Sequence, residues 1–218
     1  MARGTQRGTS LQACAFGDAD DYTMPIDFQA FDPHRRVRIY RRNLPHWRQD
    51  GATYFVTCRL HDSLPQHAID YLETLRRVLI RMAERDADPI RADREYFRKM
   101  KHYLDQGHGA CWLRDPAIQE VVRQAVAHFE GVRYQAGESA VLPNHLHALV
   151  RPLPGFELED ILHSWKTFIA RAINRHVGRT GPVWQHENYD RLVRDTVEFA
   201  RTERYIRNNL LPPQKRES

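Results

Sequence analysis

The apolar positions of this chain change period several times, and each change marks an element. Ala52–Leu60 is β-branched and aromatic, which predicts a central strand. From Pro65 to about Glu84 the period lengthens to that of a helix, with Ile69, Leu72, Leu75, Val78, Leu79 and Met82 as its apolar positions. A charged stretch, Asp86–Gln106, follows; it is helical around Arg94–Leu104 and stops at Gly107-His108-Gly109. A further helix starts at Pro116, behind the N-cap residue Asp115, and runs to about Phe129 with Ile118, Val121, Val122, Ala125 and Phe129 inward. Val132–Leu142 and His145–Arg151 read as two strands joined by a Pro143-Asn144 turn. Leu158–Val177 is helical, with Ile161, Leu162, Trp165, Phe168, Ile169, Ala172 and Ile173 on its core side and Gly178 as C-cap. Pro182–Arg194 is a loop with a strand at Asp190–Arg194. The last helix spans about Thr196–Leu210 and stops before Pro212-Pro213.

Strands alternating with helices, one hairpin among them, predict an α+β fold: a small antiparallel sheet with helices packed on it. Residues 1–35 lack periodicity and read as a poorly ordered leader. Residues 36–211 form the domain, with a helical insertion at about 86–109, and 212–218 a tail. Arg35–Arg42 is basic with interleaved Val37, Ile39 and Tyr40, and fits either a short strand or an arm along a phosphate backbone. No repeat is visible.

Composition narrows the partners. At 218 residues and 41% apolar, one core is affordable, and a net charge of +5 with a pI near 9.3 suits a polyanion. No apolar stretch approaches a membrane span, and no hydrophobic run follows the first arginines as a secretory signal would require. Cys14, Cys58 and Cys111 are scattered and odd in number, which predicts reduced thiols in a cytoplasm rather than a zinc knuckle.

The candidate chemistry lies in Pro143-Asn144-His145-Leu146-His147-Ala148. Side chains alternate along a strand, so His145 and His147 share a face and Leu146 points to the core. Two neutral imidazoles on one face can hold a divalent ion, and both are expected to line a cleft. In the last helix Tyr205 and Asn209 are four apart and share a face. A phenol can act as a covalent nucleophile and an amide oxygen as a third ligand, with Asn208 the weaker choice, although on local sequence alone Tyr205 more commonly packs such an amphipathic helix. Nitrogen and oxygen ligands with open positions suit Mg²⁺ or Mn²⁺ at a phosphoryl-transfer site.

These motifs carry a resemblance. Leu142-Pro143-Asn144-His145-Leu146-His147, His163-Ser164-Trp165-Lys166, Ile173-Asn174-Arg175, Gly181-Pro182-Val183-Trp184-Gln185, Tyr189-Asp190-Arg191 and Tyr205-Ile206-Arg207-Asn208-Asn209 occur in that order over roughly residues 45–211. In this the chain resembles the REP-associated tyrosine transposases, bacterial relatives of the single-strand DNA transposases of the HUH class. It departs after the tyrosine helix. The family continues with Asn-Pro-Val-Lys-Ala-Gly-like residues, whereas Leu210-Leu211-Pro212-Pro213 stand here.

The resemblance implies a ferredoxin-like βαββαβ core. It implies a metal-dependent single-strand DNA endonuclease and strand transferase, with Tyr205 as nucleophile and His145, His147 and Asn209 as metal ligands. The implied substrate is a palindromic hairpin of the REP type with a short flanking guide sequence, and the implied product a covalent 5′-phosphotyrosine with a free 3′-hydroxyl. The implied location is the bacterial cytoplasm, at the nucleoid.

The other tyrosines fit less well. Tyr189 stands at a family position that is often phenylalanine, and Tyr134 reads as packing. Lys166, Arg171, Arg175, Arg179, Arg191, Arg194, Arg201, Arg204 and Arg207, with Trp184 and Gln185, suit a phosphate backbone and unpaired bases as a set. Trp165, at apolar helical spacing, reads as core. Two rivals remain. A histidine-triad nucleotide hydrolase needs His-x-His-x-His, and Leu149 stands at the third position. A domesticated transposase would keep the fold and bind palindromes without cutting them.

Overall fold

The computed structural model describes residues 26–41, 45–86 and 89–210. In chain order the elements are β1 (Arg38–Arg41), β2 (Pro45–Arg48), β3 (Tyr54–Arg59), α1 (Gln66–Asp86), α2 (Pro89–Leu104), α3 (Pro116–Ala127), β4 (Tyr134–Leu142), β5 (His145–Pro152), α4 (Leu158–His176), β6 (Tyr189–Leu192) and α5 (Thr196–Leu210). The main sheet has the order β4-β5-β3-β6, every neighbouring pair antiparallel. Two crossover units interleave to give it. β5 lies between β3 and β4, and β3 lies between β5 and β6. This is the ferredoxin-like order, so the expected α+β class and core topology are those observed.

Alternation along the strands assigns each residue to one of two faces. Tyr54, Val56 and Cys58 of β3 and Leu146, Ala148 and Val150 of β5 meet α3 and α4, whose Ile118, Val122, Ile161, Leu162, Trp165, Ile169 and Ile173 complete the larger core. Trp165 is core, as its spacing requires. It donates from Nε1 to the Tyr134 hydroxyl at 2.8 Å, which confirms Tyr134 as a packing residue of that side. Phe55, Leu149, Ala140 and Leu142 form the opposite face with Leu72 of α1, Met100 and Leu104 of α2 and Ile206 of α5. The sheet therefore carries helices on both sides, and burying each of these aliphatic side chains contributes about 1.5–3 kcal/mol.

The charged stretch expected to form an insertion becomes α2, which pairs with α1 as a helical hairpin on the second face. Its Tyr96, Phe97, Met100 and Leu104 recur at helical spacing, and that stripe seats it. A bulge in β4, between Ala136 and Ser139, sets two residues against Leu149. A Cβ on Gly137 would sit 3.1 Å from both Ile26 and Leu149, so a bulge here suits glycine.

Residues 26–35, read from composition as the end of a loose leader, lie against the domain. The Phe28 and Phe199 rings are 4.5 Å apart, and the Phe31 amide donates to the Val193 carbonyl at 3.2 Å. The basic segment after them takes the strand alternative: β1 pairs with β2, Arg38 opposite Arg48. Arg48 then anchors this ribbon to the main sheet through Asp190 and to α4 through Glu159 (2.6 Å). Residues 1–25 and the tail 212–218 lie outside the described residues, and Cys14 with them; Cys58 and Cys111 are unbridged and buried. Among the described residues no helix is long and apolar enough to cross a membrane.

Candidate active site at the histidine pair

The β3–β5 register sets Thr57 opposite His147 and Arg59 opposite His145, all on the face that α2 and α5 cover. The two imidazole centroids are 4.6 Å apart. The sequence expectation that they line a cleft is corrected here: His145 is 1% and His147 0% exposed. The rings of Phe55 (5.2 Å) and Phe97 (6.1 Å) pack around His147, and the latter comes from α2, whose contact with the sheet is not encoded in the local pattern of β5.

Each imidazole is held at Nδ1. The Asn144 side chain donates from Nδ2 to the carbonyls of Leu104 (3.3 Å) and His108 (3.1 Å), which fixes its amide orientation. Its Oδ1, 2.8 Å from His145 Nδ1, then accepts from that nitrogen. The His145 proton is thereby placed on Nδ1 and the lone pair on Nε2, a buried atom without a hydrogen-bond partner among the described residues. His147 Nδ1 lies 2.8 Å from Thr57 Oγ1, and its Nε2 lies 2.9 Å from the Tyr205 hydroxyl. Three residues from β5 and α5, His145, His147 and Tyr205, thus lie together.

Burial pushes the His145 imidazole down to about 3, with Lys101 adding to the effect. Burial also holds His147 well below its ordinary value, helped by His145 and Lys101. Both are therefore neutral at physiological pH, the state that donates a lone pair to a metal. The depressed basicity makes His147 a poor acceptor of a whole proton from Tyr205.

A prediction on stability follows. Unfolded histidines titrate near about pH 6.5, whereas these two stay neutral in the fold. Below about pH 6.5 the unfolded chain binds more protons, so stability falls with falling pH by up to about 1.4 kcal/mol per pH unit for each histidine. Above about pH 7.5 both states are neutral and the contribution is flat. Denaturant midpoints taken from about pH 8 to about pH 5 should drop, and drop less in a His145→Gln/His147→Gln variant. Equal slopes in the two proteins would place the titration elsewhere.

As for a metal, the donor set fits in kind. Among the described residues no group of three or more His, Cys, Asp or Glu could hold an ion. Any further ligand that the described residues gave beside the histidine pair would be a neutral oxygen, such as an amide. Asn209 donates from Nδ2 to the Tyr205 carbonyl at 2.8 Å, one turn back on α5, and its Oδ1 is not spent in that bond. Leu149, where a third histidine would stand, is a wholly buried core residue.

The competing tyrosine is accounted for. Tyr189 is buried and donates to Asp93 Oδ2 of α2 at 2.7 Å; its neighbour Asp190 is engaged with Arg48 instead. Burial, then Asp93, pushes the Tyr189 phenol well above its ordinary value, so it stays protonated.

The basic set divides between two sides. Arg191 lies on the histidine face, opposite Phe55, and Arg204 and Arg207 are carried by α5. Arg194 follows β6 and reaches the Glu198 carboxylate at 3.9 Å. Lys166, Arg171 and Arg175 stand on α4, which covers the opposite face. The Lys166 ammonium donates to the Gln185 carbonyl (2.6 Å), the His186 carbonyl (3.1 Å) and Asn188 Oδ1 (3.1 Å), which shapes the loop before β6. Trp184 is buried and donates to the Lys166 carbonyl at 3.1 Å, and the Gln185 amide donates to the Arg59 carbonyl at 2.9 Å. Sequence reasoning passed over Asn144 and Thr57 as partners of the histidines. Asn144 stood inside the histidine motif and could have been found there, whereas Thr57 needs the strand register.

No family model matches the chain, and no curated protein does. Among solved structures, one that resembles it is a REP-associated tyrosine transposase bound to a REP hairpin, at 16% identity over 78% of this chain and 70% of that one, with a TM-score of 0.38. Another is a Deinococcus radiodurans R1 protein provisionally named a transposase, at 13% identity over 72% of this chain and 89% of that one, with a TM-score of 0.31.

Proposed function

We propose that this protein is a single-strand DNA endonuclease and strand transferase of the REP-associated tyrosine transposase kind, acting on palindromic hairpins. The observation that carries the reading is the 2.9 Å contact between the Tyr205 hydroxyl and His147 Nε2, beside the His145 Nε2, which has no hydrogen-bond partner among the described residues. A nucleophile and two neutral imidazoles, far apart in the chain, meet at one point of the sheet.

Tyr205 Oη attacks phosphorus and the bond to the 3′-oxygen breaks. The 5′-phosphate stays on the tyrosine, and the phenol proton is balanced by the new 3′-hydroxyl. His145 and His147, through Nε2, and Asn209, through Oδ1, would hold Mg²⁺ or Mn²⁺, whose chemistry is to draw electron density from a phosphoryl oxygen. Were an ion held at His147 Nε2, the contact of that atom with the Tyr205 hydroxyl would have to open. Thr57 and Asn144 keep the two rings oriented meanwhile.

The burial of both histidines favours a second reading, a domesticated protein that binds palindromes without cutting them. One experiment separates the two. The protein is incubated with a 3′-end-labelled hairpin bearing a single-stranded 5′ flank, with Mg²⁺ or Mn²⁺, and run under denaturing conditions. A labelled protein–DNA species that disappears with a chelator is expected. Binding should favour this hairpin over the same sequence as full duplex, because unpaired bases are the ones that stack and are read. Tight hairpin binding without any covalent species would establish the second reading.

A further inference from the structure

The arginines that neighbour the site are mostly neutralised within the protein. Arg191 pairs with Glu198 at 3.2 Å, and Arg207 with Glu138 at 2.6 Å. Arg59 differs. It ends β3 directly opposite His145, which puts its Cβ on the histidine face. Its side chain is half-buried, and among the described residues its guanidinium makes one long hydrogen bond, from Nη1 to Ser63 Oγ at 3.5 Å. No carboxylate of the described residues pairs with it; Glu187 and the Tyr96 phenol act on it only at longer range. Burial pushes its pKa down, as it does for a cation short of compensation.

The surroundings add to the positive potential. Lys101 of α2 lies 5.5 Å from the centre of the Tyr205 ring, and its charge is felt at both histidines, although Asp105 offsets part of it. Lys101 thus adds positive charge at two neutral imidazoles, Arg59 stands opposite His145 in the strand register, and no carboxylate is bonded to either imidazole among the described residues. What such a place lacks is an anion. A guanidinium offers a planar fork of donors that matches the oxygens of a phosphate.

We propose that Arg59 is the anchor for a backbone phosphate of the DNA strand, beside the phosphoryl group that Tyr205 attacks. This rests on the DNA-cleaving reading above. Binding would supply the charge that the fold leaves out, and would set the strand's register against His145.

The test uses full-length Tyr205→Phe protein, which cannot cleave, and adds Arg59→Met or Arg59→Lys. Equilibrium binding of the flanked hairpin is followed over a salt series. Arg59→Met should weaken binding by about tenfold and lower the slope of log affinity against log salt by about one, the mark of one lost phosphate contact. Arg59→Lys should keep the slope. The melting temperature of Arg59→Met should be unchanged or higher, because an uncompensated cation has been removed. In the absence of DNA, inorganic phosphate should raise the melting temperature of the parent but not of Arg59→Met. An unchanged salt slope, or lost binding together with a melting temperature several degrees lower, would overturn the proposal. A parent that binds DNA while wild-type protein forms no covalent species would remove the nuclease reading and leave the anchor to be judged on the slope. A parent that binds no DNA would remove both.

Discussion

Tyr205→Phe should form no covalent species with cleaved DNA, a loss on the order of 10⁴-fold or more in adduct formation. The substitution deletes one oxygen. Its hydrogen bond to His147 contributes about 1 kcal/mol, so the fold and hairpin binding should survive. Single-turnover reactions with labelled hairpin check this, with circular dichroism and a binding isotherm on the same protein as controls. An adduct on Tyr205→Phe would end the assignment. Tyr189 is the residue to examine next in that event, but it enters with a handicap: it is buried, bonded to Asp93 and held protonated.

The second large effect is expected at the histidines. Their burial changes how the experiment must be done. Alanine at either position would open a cavity in a closed core and cost about 2–4 kcal/mol, so lost activity would be confounded with lost structure. Glutamine keeps most of the volume and a polar end. A His145→Gln/His147→Gln protein should stay folded and lose divalent-ion affinity by about a hundredfold or more, with the adduct lost in parallel. Calorimetric titration with Mn²⁺ and the labelled-hairpin assay read the two losses separately. Full cleavage by the folded double variant would exclude a metal site here, whatever Tyr205 does.

The histidine face was legible because it follows from one local rule: alternate residues of a strand point the same way. That Tyr205 and Asn209 stand one turn apart on α5 was legible for the equivalent reason in a helix. The role of α2 was harder. Asp86–Gln106 is dominated by charge, so it reads as a helical insertion. Yet Tyr96, Phe97, Met100 and Leu104 form an apolar stripe within it, and these residues seat it on the histidine face. That signal was present and weak, since four apolar positions among so many arginines and lysines also suit a solvated helix. Residues 26–35 misled in the same manner: Phe28 and Phe31 make long-range contacts that no local period announces.

The arginines show most plainly where sequence stops. Arg191, Arg194 and Arg207 were chosen for proximity in the chain to the catalytic motifs, and each is bound to a carboxylate in the fold. Arg59 lies far from those motifs in sequence and reaches His145 only through strand pairing. By itself the sequence determined which side chains share a strand face or a helix face, because those spacings are properties of the backbone repeat. The tertiary structure alone decided that the histidines are covered and that Tyr205 meets His147. It also decided which cations are left uncompensated, because burial and charge pairing depend on segments that meet across the sheet.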